Sequence, residues 1–192
     1  MAPGMARAGL DRRTSEENPR CFFDVRICDK PAGQLVFELR RDVCAKTCEN
    51  FLKLCSGECG LSKSGFELSY RGCVFHRIIP DQLCQSGDFT CKDGTGGESI
   101  FGPDGFEDES FSLRHVGRGV LSMANDGPDS NRSMFFLTFA KMPQLDDSHV
   151  VFGYVIEGMP ILRQIEECGS ASGRPTKEVV ISYSGVLEYG GA

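Results

Sequence analysis

The stretch CFFDVRICDKPAGQLVFELRRDVCAKTCENFLKL, residues 21–54, decides the architecture. Its first seven residues, CFFDVRI, and the run QLVFELR at 34–40 place apolar side chains with a period of two, the pattern of a strand with one buried face. Between them lies DKPAG, whose Pro and Gly are turn formers, so the two runs predict a hairpin. From Val43 the spacing lengthens. VCAKTCENFLKL puts its apolar residues at helical intervals, with Asp42 able to cap the first amides and Gly57 just past the end.

Outward from this stretch, strand-like runs recur at Cys73 to Ile79, Leu83 to Phe89, Gly119 to Ala124, Ser133 to Ala140, Val150 to Val155 and Val179 to Leu187. With the hairpin they predict eight strands. A second helix is expected over Pro160 to Cys168, where Pro160 suits a first turn and Ile161, Leu162 and Ile165 share a face. Gly57 to Gly72 lacks either period and reads as one long loop. Many short strands, two helices and turn residues at the junctions imply an all-β fold: an eight-stranded antiparallel closed barrel capped by two α-helices. Eight strands leave an interior just wide enough for side chains to fill, so the active surface is expected outside it.

The chain has 192 residues, near the scale of one domain of roughly 150 residues. Residues 1–18 read as a flexible polar tail and 19–192 as the folded domain. The net charge of −6 gives no general attraction to phosphate backbones or anionic lipid, so neither nucleic acid nor membrane is expected as a partner. No run approaches the ~18 apolar residues of a membrane span. The first twenty residues lack the apolar stretch of a secretory signal, and the protein is expected in the cytoplasm, the nucleus included, and not secreted. Without an apolar surface stripe, a monomer is the simplest expectation.

Ten cysteines fall short of the roughly 8–10% that marks a disulfide scaffold, and they read as thiols. Cys44, Cys48 and Cys55 would share a helix face with Cys59 just beyond. Small buried hydrophobes fit that pattern better than metal ligands, whose pairs usually stand two to four apart and are followed by a second pair. Gly94-Thr95-Gly96-Gly97 lacks the strand before and helix after that a phosphate loop needs. Of the three histidines none has a second ligand at metal spacing, and a Ser-His-Asp arrangement of His149 with Asp146 or Asp147 lacks a nucleophile elbow. No metal and no cofactor are expected.

Four segments follow none of these logics: Phe75-His76-Arg77-Ile78-Ile79-Pro80, Gln85-Ser86-Gly87-Asp88-Phe89, Leu121-Ser122-Met123-Ala124-Asn125 and Phe135-Phe136-Leu137-Thr138. In order and spacing, together with Glu49-Asn50-Phe51, Gly94 to Ile100 and His149-Val150-Val151-Phe152-Gly153, they resemble the cyclophilins, the peptidylprolyl cis-trans isomerases. The resemblance runs from about Asn18 to Leu187. It implies rotation of X-Pro bonds in proline-containing peptides and protein clients, assisting folding, without a cofactor. It also implies Arg77 as donor to the prolyl nitrogen and Phe136 and Leu145 as the proline pocket, with His149 at its edge. Gln85 would position Arg77 and the substrate, the main chain of Asn125 would bind the peptide, and Ala124 would line the groove.

Departures from the family pattern bear on strength. Gln82 stands where a pocket Phe is usual, and Leu83, Met134 and Gln144 where Met, Gln and Trp are usual. A lost aromatic contact is worth at most ~1.5–3 kcal/mol, about tenfold to a hundredfold, so weakened activity and low cyclosporin affinity are expected. The rival reading is a proline-peptide-binding module of the same fold with little turnover. Asp126 would favour basic residues upstream of proline. The 57–72 loop resembles the insertion of the divergent-loop cyclophilins, with Glu98 as its expected acceptor. Cys55 matches one member of that subgroup's redox pair, and Ser184 replaces the other.

Overall fold

The computed structural model describes residues 18–187, and the segment expected to be a polar tail lies outside them apart from Asn18. Eight strands and two helices follow in the order β1 (Arg20–Ile27), β2 (Lys30–Leu39), α1 (Ala45–Ser56), β3 (Arg77–Ile79), β4 (Leu83–Ser86), β5 (Val120–Met123), β6 (Phe135–Thr138), β7 (Val151–Glu157), α2 (Met159–Glu166) and β8 (Val179–Leu187). Every pairing is antiparallel, in the spatial order β3-β4-β6-β5-β7-β2-β1-β8.

The expected closed barrel is instead an open, curled sheet, with β3 and β8 at its edges. β3 has three residues and carries no ladder across the seam. The chain just ahead of it reaches β8 through an isolated Val74–Val180 bridge. There Phe75 N–H donates to the Val179 carbonyl and Ile181 N–H to that of Cys73, each at 2.9 Å.

Two further expectations are corrected at the hairpin and the first helix. The tight turn is not DKPAG but Cys28-Asp29, both at positive φ (46° and 61°), as a two-residue hairpin loop requires. Pro31 and Gly33 lie inside β2, where the register slips at a bulge. Asp42 does not cap α1, because it is held by Arg40 at 2.8 Å. The amides of Lys46 and Thr47 donate to the Glu109 carboxylate, 2.9 Å each, so the cap comes from a distant loop. Gly57 ends the helix in the left-handed conformation, as read from sequence.

Period-2 alternation across the sheet makes the core. Ile78, Cys84, Leu137 and Leu121 lie side by side on β3, β4, β6 and β5, all fully buried. The row continues to Gly153 on β7, where a Cβ would stand 2.7 Å from the Glu38 carbonyl oxygen. Phe51 of α1 enters from the concave side. Its ring lies 5.0–6.1 Å from those of Tyr70, Phe152, Phe135, Phe23 and Phe37. Aromatic pairs at these distances each add about 0.5–1.5 kcal/mol beyond area burial. The concave face is filled in this way by the core.

Candidate active site

One residue away from the core row, the side chains turn to the opposite face. Arg77, Gln85, Phe136 and Ser122 are direct cross-strand neighbours on β3, β4, β6 and β5. The row runs from exposed Arg77 through half-buried Gln85 to buried Phe136 and Ser122. Around Phe136 a second apolar cluster forms, separate from the core: Ala124, Met134 and Phe136, with Leu83 and Leu145 packed on it. Leu145 comes from a 3₁₀ turn, Pro143–Leu145, that sequence periodicity is too short to signal. The two residues expected to form the proline pocket, Phe136 and Leu145, thus join one cluster with the expected lining residues Ala124, Met134 and Leu83.

His149 follows the same turn, its N–H on the Leu145 carbonyl at 3.2 Å. Its Nδ1 lies 3.0 Å from the Met123 carbonyl oxygen, which can only accept, so Nδ1 carries a proton. The ring meets Phe136 edge-on at 5.3 Å. Asn125 donates through Nδ2 to the Ser148 carbonyl at 2.8 Å, pinning the β5 exit to the same turn. Gln82 and Gln144, where the resemblance has aromatic residues, are both exposed.

None of the ion pairs among the described residues includes Arg77. Its side chain lies over Gly173, where a Cβ would stand 3.1 Å from Arg77 Cγ and 3.4 Å from Nε, and where φ is +84°. Gln85, expected to position Arg77, is its backbone partner, but the Gln85 amide reaches the Met134 sulfur at 4.0 Å. Asp126 is not a bare charge, because Arg132 Nη2 lies 2.7 Å from its carboxylate.

Beneath Phe136 lies a support that sequence reading missed. His115 stacks on Phe136, ring centroids 5.6 Å apart and planes 13° from parallel. His115 Nδ1 donates to Asp146 at 2.8 Å, and Nε2 accepts from Ser122 Oγ at 3.0 Å. The Ser-His-Asp chain considered for His149 therefore runs through His115. Ser122 is fully buried, so the chain holds Phe136 rather than presenting a nucleophile. Burial holds His115 below the usual histidine range, with Asp146 pulling the other way. Desolvation alone would raise Asp146, but hydrogen bonds from the His115 backbone and ring hold it below the usual carboxylate range.

Other polar clusters are structural in character. Asp88, Cys91 and Asp93 bring three ligand-type atoms within 4.8 Å of one another. Both Asp88 oxygens, however, already accept from the amides of Thr90, Cys91, Gly94 and Gly96 at 2.9–3.1 Å. Cys44 and Cys48 are buried, with their thiols on the Val151 and Phe152 carbonyls. Glu98 lies against the 57–72 loop in a cleft of about 200 Å³, but its Oε2 has no hydrogen-bond partner. Ser184 donates to the Cys55 carbonyl at 2.8 Å.

Sequence spacing could not have found His115, Gly173 or Arg132, since each acts on a partner brought to it by the fold. Among the described residues no helix is long and apolar enough to cross a membrane. Compared with known protein families, residues 22–186 match the model described as cyclophilin type peptidyl-prolyl cis-trans isomerase/CLD.

Proposed function

The chain belongs to the cyclophilin-type peptidyl-prolyl cis-trans isomerases, and from that premise we propose that its X-Pro substrates bind across the convex face, with the proline ring on Phe136 and the prolyl nitrogen under Arg77. The observation that carries this reading is the apolar cluster of Ala124, Met134, Phe136, Leu83 and Leu145, on the strands next to an arginine that forms no ion pair among the described residues.

The chemistry needs no cofactor. Resonance in the C–N bond opposes rotation by about 18–20 kcal/mol, and whatever favours a pyramidal, amine-like nitrogen lowers that barrier. A guanidinium hydrogen-bonded to the prolyl nitrogen does so most strongly in the twisted state, where the lone pair is localised. Arginine keeps its charge at every physiological pH and offers donors in a fixed fork. The apolar wall holds the ring and excludes water, which strengthens that bond. Gln85 and the Asn125 main chain orient the peptide, and His149 closes the pocket edge.

Activity is weakened and cyclosporin binds with low affinity, because Gln82 and Gln144 replace apolar contact area with exposed amides. The same two residues favour a second reading, a proline-peptide-binding module of low turnover. Proline-peptide titration followed by NMR tests the seat: the Phe136, Met134 and His149 resonances shift, and in Phe136→Ala those of Met134 and His149 do not. Shifts confined to other surfaces would move the substrate elsewhere.

A further inference from the structure

Away from the Phe136 row, the β1–β2 turn and the end of α2 enclose a cleft of about 420 Å³ whose lining includes Cys28, Lys30, Cys168 and Lys177. Cys28 is exposed at the tip of the turn in the left-handed conformation. Cys168, just beyond α2, is 2% exposed. One short segment ties the two together. Cys28 N–H donates to the Glu178 carbonyl at 3.0 Å, and the Cys168 carbonyl accepts from Thr176 N–H at 2.7 Å. The three residues Thr176 to Glu178 span at most about 10–11 Å, so both cysteine backbones hang from the ends of one tripeptide, with Lys177 between them.

We propose that Cys28 and Cys168 form a hydroperoxide-responsive dithiol, with Cys28 the reacting thiol and Cys168 the resolving one. Lys30 and Lys177 line the cleft with these two cysteines, alongside Glu167. The other cysteines lack this combination. Cys21, Cys44, Cys48, Cys55, Cys73 and Cys84 are buried in the fold, and half-buried Cys59 lines a different cleft whose lining includes no second cysteine. Exposed Cys91 sits beside the carboxylates of Asp88 and Asp93, with no second cysteine in that cluster. Burial pushes the Cys168 thiol up, against the pull of Lys177, so Cys168 stays protonated and shielded while Cys28 meets the oxidant.

The chemistry balances in two steps. The Cys28 sulfur attacks a hydroperoxide oxygen: an S–O bond forms, the O–O bond breaks, and water or alcohol leaves, giving a sulfenic acid. The Cys168 sulfur then attacks the Cys28 sulfur. The S–S bond forms, the S–O bond breaks, and hydroxide leaves as water with the Cys168 proton. Two thiols lose two electrons and two protons, and the peroxide is reduced. The product staples the hairpin turn to the end of α2.

The test is equimolar hydrogen peroxide on the full-length folded protein, followed by alkylation, proteolysis and mass spectrometry. The expected result is a Cys28–Cys168 linked peptide two hydrogens lighter than its dithiol, absent in Cys28→Ser. In Cys168→Ser, Cys28 is trapped as sulfenic acid by a cyclic dione, whereas in the wild type it is not. The basal isomerase rate of Cys28→Ser equals that of the wild type. Oxidation of Cys28 with no link to Cys168, or Cys28 reacting no faster than Cys91, would overturn the proposal. The wild-type peptide map decides even if Cys168→Ser fails to fold.

Discussion

The rings of His115 and Phe136 lie parallel, 13° apart in plane and 5.6 Å between centroids, with His115 locked from behind by Asp146 and Ser122. The wall proposed to meet the proline ring is therefore set by a buried polar chain on the same side of the sheet. His115→Ala removes the stack and leaves a carboxylate and a hydroxyl without their partner, at a cost of about 1–3 kcal/mol for the unpaired groups. Calorimetry should show that loss. A merely structural role would spare the proline affinity of the folded variant, so the account also expects a raised KM with a smaller change in kcat.

Acid should unfold the protein in two stages. Burial holds His115 and His76 below the usual histidine value, so as pH falls below about 6.5 the unfolded chain takes up protons before the folded one and stability drops. Asp146 and Asp88 titrate below the usual carboxylate value, each held down by donors that outweigh desolvation. Their contribution is complete above about pH 4 and is lost as pH falls through their folded values. Thermal midpoints measured from pH 8 down to pH 3 should be flat above 7, fall below 6.5 and fall again below 4. A midpoint that rises on acidification to pH 5 would contradict the histidine assignment.

Gly173 should be a positioning residue for Arg77. A Cβ there meets the Arg77 side chain at 3.1 Å from a backbone at φ +84°, so Gly173→Ala both strains the loop, by about 1 kcal/mol, and displaces the guanidinium. Turnover should drop while binding of a proline peptide, measured by calorimetry, is kept. Equal loss of both would assign Gly173 to the fold alone.

Charge selectivity should depend on Arg132. The sequence expectation of a preference for basic residues upstream of proline took Asp126 as an open charge, but Arg132 stands 2.7 Å from it. Exposed pairs of this kind are worth about 0–1 kcal/mol, so unmasking the carboxylate should change selectivity by no more than several-fold. In a peptide library, Arg132→Ala should gain a preference for Lys or Arg upstream of proline that the wild type lacks.

Restoring aromatic area should restore strength. Gln144→Trp and Gln82→Phe each return contact worth up to ~1.5–3 kcal/mol. Cyclosporin affinity by calorimetry should rise about tenfold to a hundredfold in Gln144→Trp. A wild-type affinity already below micromolar would contradict the account.

Element types were legible because period-2 runs and two helical runs fix which faces are buried, and all eight strands and both helices lie where those runs stand. Closure was not, because it depends on whether three-residue β3 can pair with β8, a tertiary matter beyond local pattern. The α1 cap was missed for a similar reason: Asp42 has the right spacing but is taken by Arg40, and Glu109 arrives from a loop. At the site, the motif residues Arg77, Gln85, Phe136 and His149 were readable as a set. Their supports, His115, Gly173 and Arg132, carry no local signal, since a ring stack or a close approach exists only once strands and loops are in place.

The most direct test of the central claim is the cis-trans exchange rate of an X-Pro peptide, measured by exchange NMR with catalytic protein, wild type beside Arg77→Ala. The account predicts acceleration by the wild type and its loss, by about two or more powers of ten for removal of one charge-stabilising donor, in a variant that still binds the peptide. A wild type that binds without accelerating exchange, or an Arg77→Ala variant as fast as the wild type, would contradict it.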